Sequence, residues 1–168
     1  MMVRAAPPTS VGGNDFEALY AAHFHSLTVQ LYAYAGDMGQ AQELVQEAFC
    51  RAFSRWKQIS AYEDPVAWVR KVAWNLATSR WRKARTAANF LRKHREQHVS
   101  APSPDRVALA AALAKLPEKQ RGAVVLHYLA DMPITEIAVV LGAAEGTVKS
   151  WLHRGRTALA AHLTEQEN

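Results

Sequence analysis

The chain has a single cysteine, Cys50, so no internal disulfide can form. Cys50 sits among Ala48, Phe49, Ala52 and Phe53, which predicts a buried, reduced thiol on a helix. No apolar stretch is long enough to span a bilayer. The first residues lack the apolar run of a secretory signal, so 1–13 is expected as a mobile tail. Together these absences predict a cytosolic protein with no membrane insertion. Strand alternation is missing too, because apolar residues recur at three and four positions rather than two. No Gly-rich phosphate loop, nucleophile motif or paired-carboxylate signature occurs, so no enzyme activity and no cofactor are expected. His94 and His98 are four apart and His23 and His25 two apart, but no Cys or acid motif completes a tetrahedral set. No metal site is expected.

Positive charge is absent from one long stretch. Between Ala5 and Cys50 there is no Lys or Arg, and the acids there are Asp15, Glu17, Asp37, Glu43 and Glu47. Between Arg51 and Arg95 the balance reverses, with only Glu63 and Asp64 among many Lys and Arg. So sharp a split suits two partners of opposite sign: a basic protein surface for the acidic part and a polyanion for the basic part.

What remains is an all-α chain in two small modules. Phe16, Leu19, Tyr20, His23, Phe24 and Leu27 mark a first helix, with Asn14 or Asp15 as its cap. It continues or restarts through Leu31 and Tyr34 and breaks around Gly36, Asp37 and Gly39. Leu44, Val45, Ala48, Phe49, Ala52, Phe53 and Trp56 form the wide stripe of a second helix, and a loop is expected from Lys57 to Glu63. Asp64 caps a third helix with Pro65 at its first position. Residues 84–103 read as a linker with room for some helix, and further helices open at Ser103–Pro104 and at Pro117. The expected units are 14–83 and 104–163, joined by 84–103 and followed by a tail, 164–168. Each unit is near the size at which a core is marginal.

Ile134 to Leu159 carries the clearest pattern. Ile134, Ile137, Ala138 and Leu141 are at helical spacing, and Gly142 ends that helix. A second helix starts near Glu145 and buries Val148, Leu152 and Leu159 on one face. Its other face shows Thr147, Lys149, Ser150, His153, Arg154 and Arg156. This is the layout of a helix-turn-helix whose second helix enters the major groove. Upstream, the third helix ends in SRWRKAR, where Arg80, Arg82, Lys83 and Arg85 surround Trp81, with Trp68 and Trp74 earlier on the same helix. Cations hold a phosphate backbone and aromatic faces stack on unpaired bases, so such a helix end suits single-stranded DNA. Trp68, flanked by Val66 and Val69, is read as core. Trp81 is read as exposed.

These segments resemble an extracytoplasmic-function sigma factor, a dissociable promoter-recognition subunit of bacterial RNA polymerase. AQELVQEAFCRAFSRW (41–56) is similar to the part of region two that grips the polymerase clamp. DPVAWVRKVAWNLATSRWRK (64–83) is similar to the part that melts and holds the −10 element. Residues 113–159 resemble region four, which reads the −35 element. The resemblance implies core-polymerase contacts at Glu43, Leu44, Gln46, Glu47 and Phe49. It implies −10 contacts at Trp74, Asn75, Arg80, Trp81, Arg82 and Lys83, and a base-pocketing loop at 57–63. It implies −35 contacts at Glu145, Thr147, Val148, Lys149, Ser150, Trp151, His153, Arg154 and Arg156. The implied partners are core RNA polymerase and promoter DNA, with an anti-sigma factor left open. Three positions depart from the pattern. Gln42–Glu43 stands where an acidic pair is usual, Ala144 where a capping Ser is common, and Trp151 where an Arg is common. The rival is a helix-turn-helix regulator that acts without polymerase. It accounts for 104–163 and leaves the acidic helix and the Trp–Arg helix without a task.

Overall fold

The computed structural model describes residues 11–87 and 102–166, without the side chains of residues 11–14, Arg82, 84–87 and Gln166. The described residues are helical and contain no strand.

The first helix, α1 (Val11–Ala35), begins inside the stretch expected as tail, ahead of both expected caps. It runs without the break allowed after Leu27 and stops at Gly36. Asp37 then takes up extended backbone, and its carboxylate accepts the Gln40 N–H at 2.8 Å to cap α2 (Met38–Ser54). The apolar stripe of α2 faces inward through Leu44, Val45, Ala48, Phe49 and Ala52. Two expectations fail at its end. Phe53 lies just outside the stripe and is 62% exposed, and Trp56 starts a separate turn, α3 (Trp56–Ile59), where a loop was expected from Lys57. Cys50 is exposed rather than buried, because it points away from the Ala48–Ala52 face. Asp64 accepts the Ala67 N–H at 3.2 Å and starts α4 (Pro65–Ala87), which buries Val69, Ala73, Trp74 and Ala77. This helix continues to Ala87, into the expected linker. His94, His98 and residues 88–101 generally lie outside the described residues.

Ser103 caps α5 (Pro104–Ala114) by accepting the Arg106 N–H at 3.4 Å. Next come α6 (Glu118–Val124) and a π turn, Val125–Leu129. Then α7 (Ile134–Leu141) meets α8 (Glu145–Gln166) across a tight turn. Gly142 makes that turn with φ 63°, a left-handed conformation that costs a glycine little, and the C-terminus of α7 closes with an Ala143 N–H to Ala138 C=O bond of 2.9 Å.

The core is one continuous cluster, not two. The helix α1 packs on α2 and α4 along one side and on α5 and the π turn along another. Leu31, Tyr32, Ala33 and Tyr34 are all buried in succession, which happens only when a helix is covered on several sides.

Candidate nucleic-acid interface

The exposed face of α8 follows from its apolar face. Val148 and Leu152 are buried against the rest of the cluster, and Gly155 lets α6 approach closely. Glu145, Thr147, Lys149, Ser150, His153, Arg154 and Arg156 are left at the surface. Three cations on one helix, beside small polar groups near its N-terminus, can hold phosphates and reach base edges. One expected contact is corrected. Val148, expected at the DNA face, is fully buried and packs in the core. Trp151 is partly buried against the core, because at ~100° per residue it falls between the buried face and Thr147. Arg156 is held at the edge of the face, where its Nη1 donates to the Tyr128 hydroxyl at 3.2 Å. Tyr128 was not anticipated as a partner.

The end of α4 is more constrained than the sequence suggests. Asn75 and Lys83 are exposed. The Arg82 side chain lies outside the described residues. Trp74 is fully buried, edge-to-face with Tyr34 at 4.9 Å between ring centres, so it is a core residue and not a DNA contact. Trp81 comes seven residues later, on the same side of the helix. It is therefore half-buried, and the Arg121 guanidinium from α6 sits 5.6 Å from its ring centre. The expectation of an exposed Trp81 is corrected by that heptad spacing. Arg80 is paired with Glu43 of α2 at 3.3 Å, both groups partly exposed.

On α2, Glu43 and Gln46 are exposed and Glu47 is half-exposed, forming one outer face. Leu44 and Phe49, expected at the polymerase face, are instead buried in the core. Glu47 bridges to Arg51 one turn on at 2.6 Å, and Gln46 accepts the Tyr20 hydroxyl at 2.8 Å. Phe53 and Cys50 continue this face towards the C-terminus. Phe53 leans on Phe16 with 5.0 Å between ring centres and still shows most of its surface. In the expected base-pocketing loop, Tyr62 is exposed.

Arg121 was missed altogether. It is 6% exposed, and its guanidinium lies between Tyr34, at 5.1 Å, and Trp81. Burial lowers its pKa from the usual arginine range, while Tyr34 and Glu118 oppose the shift. Its Nε and Nη2 have no hydrogen-bond partner among the described residues. Beside it, the Tyr34 hydroxyl donates to Glu118 Oε1 at 2.6 Å. Among the described residues, no group of three His, Cys, Asp or Glu is placed to hold a metal ion, and no helix is long and apolar enough to cross a membrane.

The chain matches the family description "Sigma-70 region 2" over residues 19–87 and "Sigma-70, region 4" over 106–159. It is 34% identical to the RNA polymerase sigma-E factor of Streptomyces antibioticus, over 78% of this chain and 74% of that one. It is 31% identical to the ECF RNA polymerase sigma factor SigL of Mycobacterium tuberculosis, over 98% and 97% of the two chains. Its fold resembles the sigma factor RpoE of Bartonella quintana, solved in complex with the anti-sigma factor NepR. The TM-score is 0.73 at 23% identity, over 90% of this chain and 98% of that one. A polymerase-independent regulator accounts for region 4 and not for region 2. With both regions present in order and near-complete coverage of a curated relative, the chain belongs to the sigma-70 family of RNA polymerase factors, in its extracytoplasmic-function group.

Proposed function

We propose that this sigma factor docks on core polymerase through the outer face of α2, captures the opened −10 strand at the end of α4, and reads −35 duplex with the exposed face of α8. The observation that carries the reading is the segregation of charge by surface. Glu43, Gln46 and Glu47 share one helix face, and Lys149, Arg154 and Arg156 line another. The acids meet a basic polymerase surface. On α8, Thr147, Lys149, Ser150 and His153 face the groove, with Glu145, Arg154 and Arg156 at the flanks. On α4, Asn75, Lys83 and Trp81 serve the unpaired strand, with Arg82 beside them in sequence and Arg80 supplied from the Glu43 pair. Phe53 adds an apolar anchor to the polymerase face. Units 14–83 and 104–163 act as the two DNA-contacting modules, with 84–103 between them.

The chain works in the cytoplasm with polymerase, as a transcription initiation factor without catalytic activity of its own. By likeness to the Bartonella protein, an anti-sigma factor is a further partner.

The test is run-off transcription with purified core enzyme on a promoter library. Discrete start sites behind a shared pair of elements are expected. Sequence-specific duplex binding by the free chain, with no transcript in the presence of core, would refute the reading.

A further inference from the structure

A second concave site lies wholly among α5, α6, the π turn and α8. The groove there encloses about 230 Å³ and opens to the surface. Its floor is Leu113, Val124 and Val125, all buried, and Leu109 and Leu159 form its sides. The wall is apolar, and no acid lines it. Water finds few hydrogen bonds on such a wall, so an apolar chain displaces it favourably.

The rim has different chemistry. Tyr128 and Arg156 line the groove and are both exposed. The Tyr128 hydroxyl accepts the Arg156 Nη1 N–H at 3.2 Å. It therefore keeps its own proton to donate, and the guanidinium has further N–H groups. Among the described residues, no carboxylate pairs with Arg156 and no acceptor takes the Tyr128 proton. Two donors, one of them charged, thus stand side by side at the edge of an apolar trough. A carboxylate has the single negative charge and the two oxygens to accept from both. A cationic head is repelled by Arg156. An alcohol forms a hydrogen bond there and gains nothing from the charge.

We propose that this groove binds a small carboxylic acid with a straight apolar tail. Arg156 and Tyr128 hold the carboxylate, and the tail lies on Leu113, Val124 and Val125. Volume sets the tail length. A cavity of ~150 Å³ holds benzene, so by the same measure this groove takes roughly eight or nine carbons. The site lies within residues 109–159 and does not depend on which DNA element α8 reads.

The probe is octanoate, titrated into the full chain while amide chemical shifts are followed by NMR. Hexanoate, octanol and octylammonium are titrated in parallel at the same pH and ionic strength. Octanoate is expected to saturate with a Kd of ~0.1–1 mM, the range for a ligand of this size. The shifted amides should cluster around Leu109–Leu113, Val124–Leu129 and Leu152–Leu159. Hexanoate lacks two methylenes and should bind about tenfold more weakly. Octanol should bind about fivefold more weakly than octanoate, and octylammonium more weakly still. Arg156→Gln is expected to bring octanoate down to the level of octanol and to leave octanol within twofold of the parent. That second value also reports an intact groove. Tyr128→Phe, which keeps the ring, should weaken octanoate about two- to threefold and leave octanol in place.

Absence of saturable shifts below about 10 mM octanoate overturns the site. Shifts scattered beyond the groove do the same, as does hexanoate binding as tightly as octanoate. Octanol or octylammonium matching octanoate in the parent chain would reduce the groove to an unselective apolar hollow and overturn the carboxylate assignment. An unaltered octanoate-to-octanol ratio in both variants would remove Arg156 and Tyr128 from it.

Discussion

Gly155 offers the sharpest check on how the recognition helix is held. A Cβ added there would lie 2.8 Å from Val124 Cγ2, and 3.4 Å from both the Cβ and the carbonyl oxygen of Gln120. Carbon atoms pack comfortably at ~3.5–4.0 Å, so the first contact overlaps by roughly 1 Å. Val124 is buried and β-branched, and one of the other two contacts is backbone, so neither side yields easily. Overpacking of this kind costs about 1–3 kcal/mol. With three contacts at once the upper part of that range applies. The helix preference of Ala over Gly returns about 1 kcal/mol. Gly155→Ala is therefore expected to lose about 1–2 kcal/mol of stability. Gly146 sits on the same helix with nothing within 4 Å of an added Cβ. Gly146→Ala is expected to gain about 0.4–1 kcal/mol. Urea unfolding of both variants, with the slope checked for constancy, measures the difference. The pair Gly155→Ala with Val124→Ala should be less destabilising than the sum of the singles, because the shorter side chain removes the worst overlap. Equal or higher stability for Gly155→Ala, with strict additivity, would refute the close approach of α6 to α8.

Charge reversal at Glu43 and Glu47 is expected to weaken core-polymerase binding severalfold at low salt while leaving the urea midpoint nearly unchanged, since both acids are partly exposed and their bridges to Arg80 and Arg51 contribute little. Salt-controlled binding decides, and unchanged affinity sinks the docking face. In holoenzyme, Arg154→Ala and Arg156→Ala should each flatten the salt dependence of −35 binding by about one unit, and Tyr128→Phe should leave that slope in place because it removes only the 3.2 Å tether. Trp74→Ala is expected to cost about 3–5 kcal/mol in unfolding and to act through stability alone. Trp81→Ala should instead slow open-complex formation on duplex and recover on a premelted bubble. An unaltered duplex-to-bubble ratio would make Trp81 a packing residue.

Local structure was legible where one residue decides the backbone. Asp64 and Ser103 announce helix starts, and each accepts an N–H from the first turn; Asp37, read only as part of a break, caps α2 in the same way. Gly142 announces the turn before α8 and adopts the left-handed conformation it alone takes cheaply. Segment matching was less able to tell a contact from its support. Leu44, Phe49, Trp74 and Val148 lie in the right motifs but point inward. Helical periodicity alone separates them, since Trp74 precedes buried Ala77 by three positions and Val148 precedes Leu152 by four. Phe53 and Cys50 err the other way, because a stripe read as wide includes residues that rotate onto the outer face. Trp81 had a usable signal in its distance of seven from a buried tryptophan. Arg121 had none, since a charged residue in PEKQRG reads as solvated until α1 is found against it.

The two sides of α1 are built from different chemistry. Towards α2 the contacts are rings and aliphatic groups: Phe16, Tyr20 and Phe24 against Phe49. Exposing them would be costly, at about 25 cal/mol for each Å² of apolar surface returned to water. Towards the −35 module the same helix presents Gln30 and the Tyr34 hydroxyl, with Leu27 and Leu31 alongside. Gln30 Oε1 and the Arg121 Nε and Nη2 are buried without a hydrogen-bond partner among the described residues, so this seam is less well satisfied than the first. The sequence shows the first seam as a clean apolar stripe on α2. It hides the second, because polar residues such as Gln30 and Arg121 read as solvated until the helix packed against them is known.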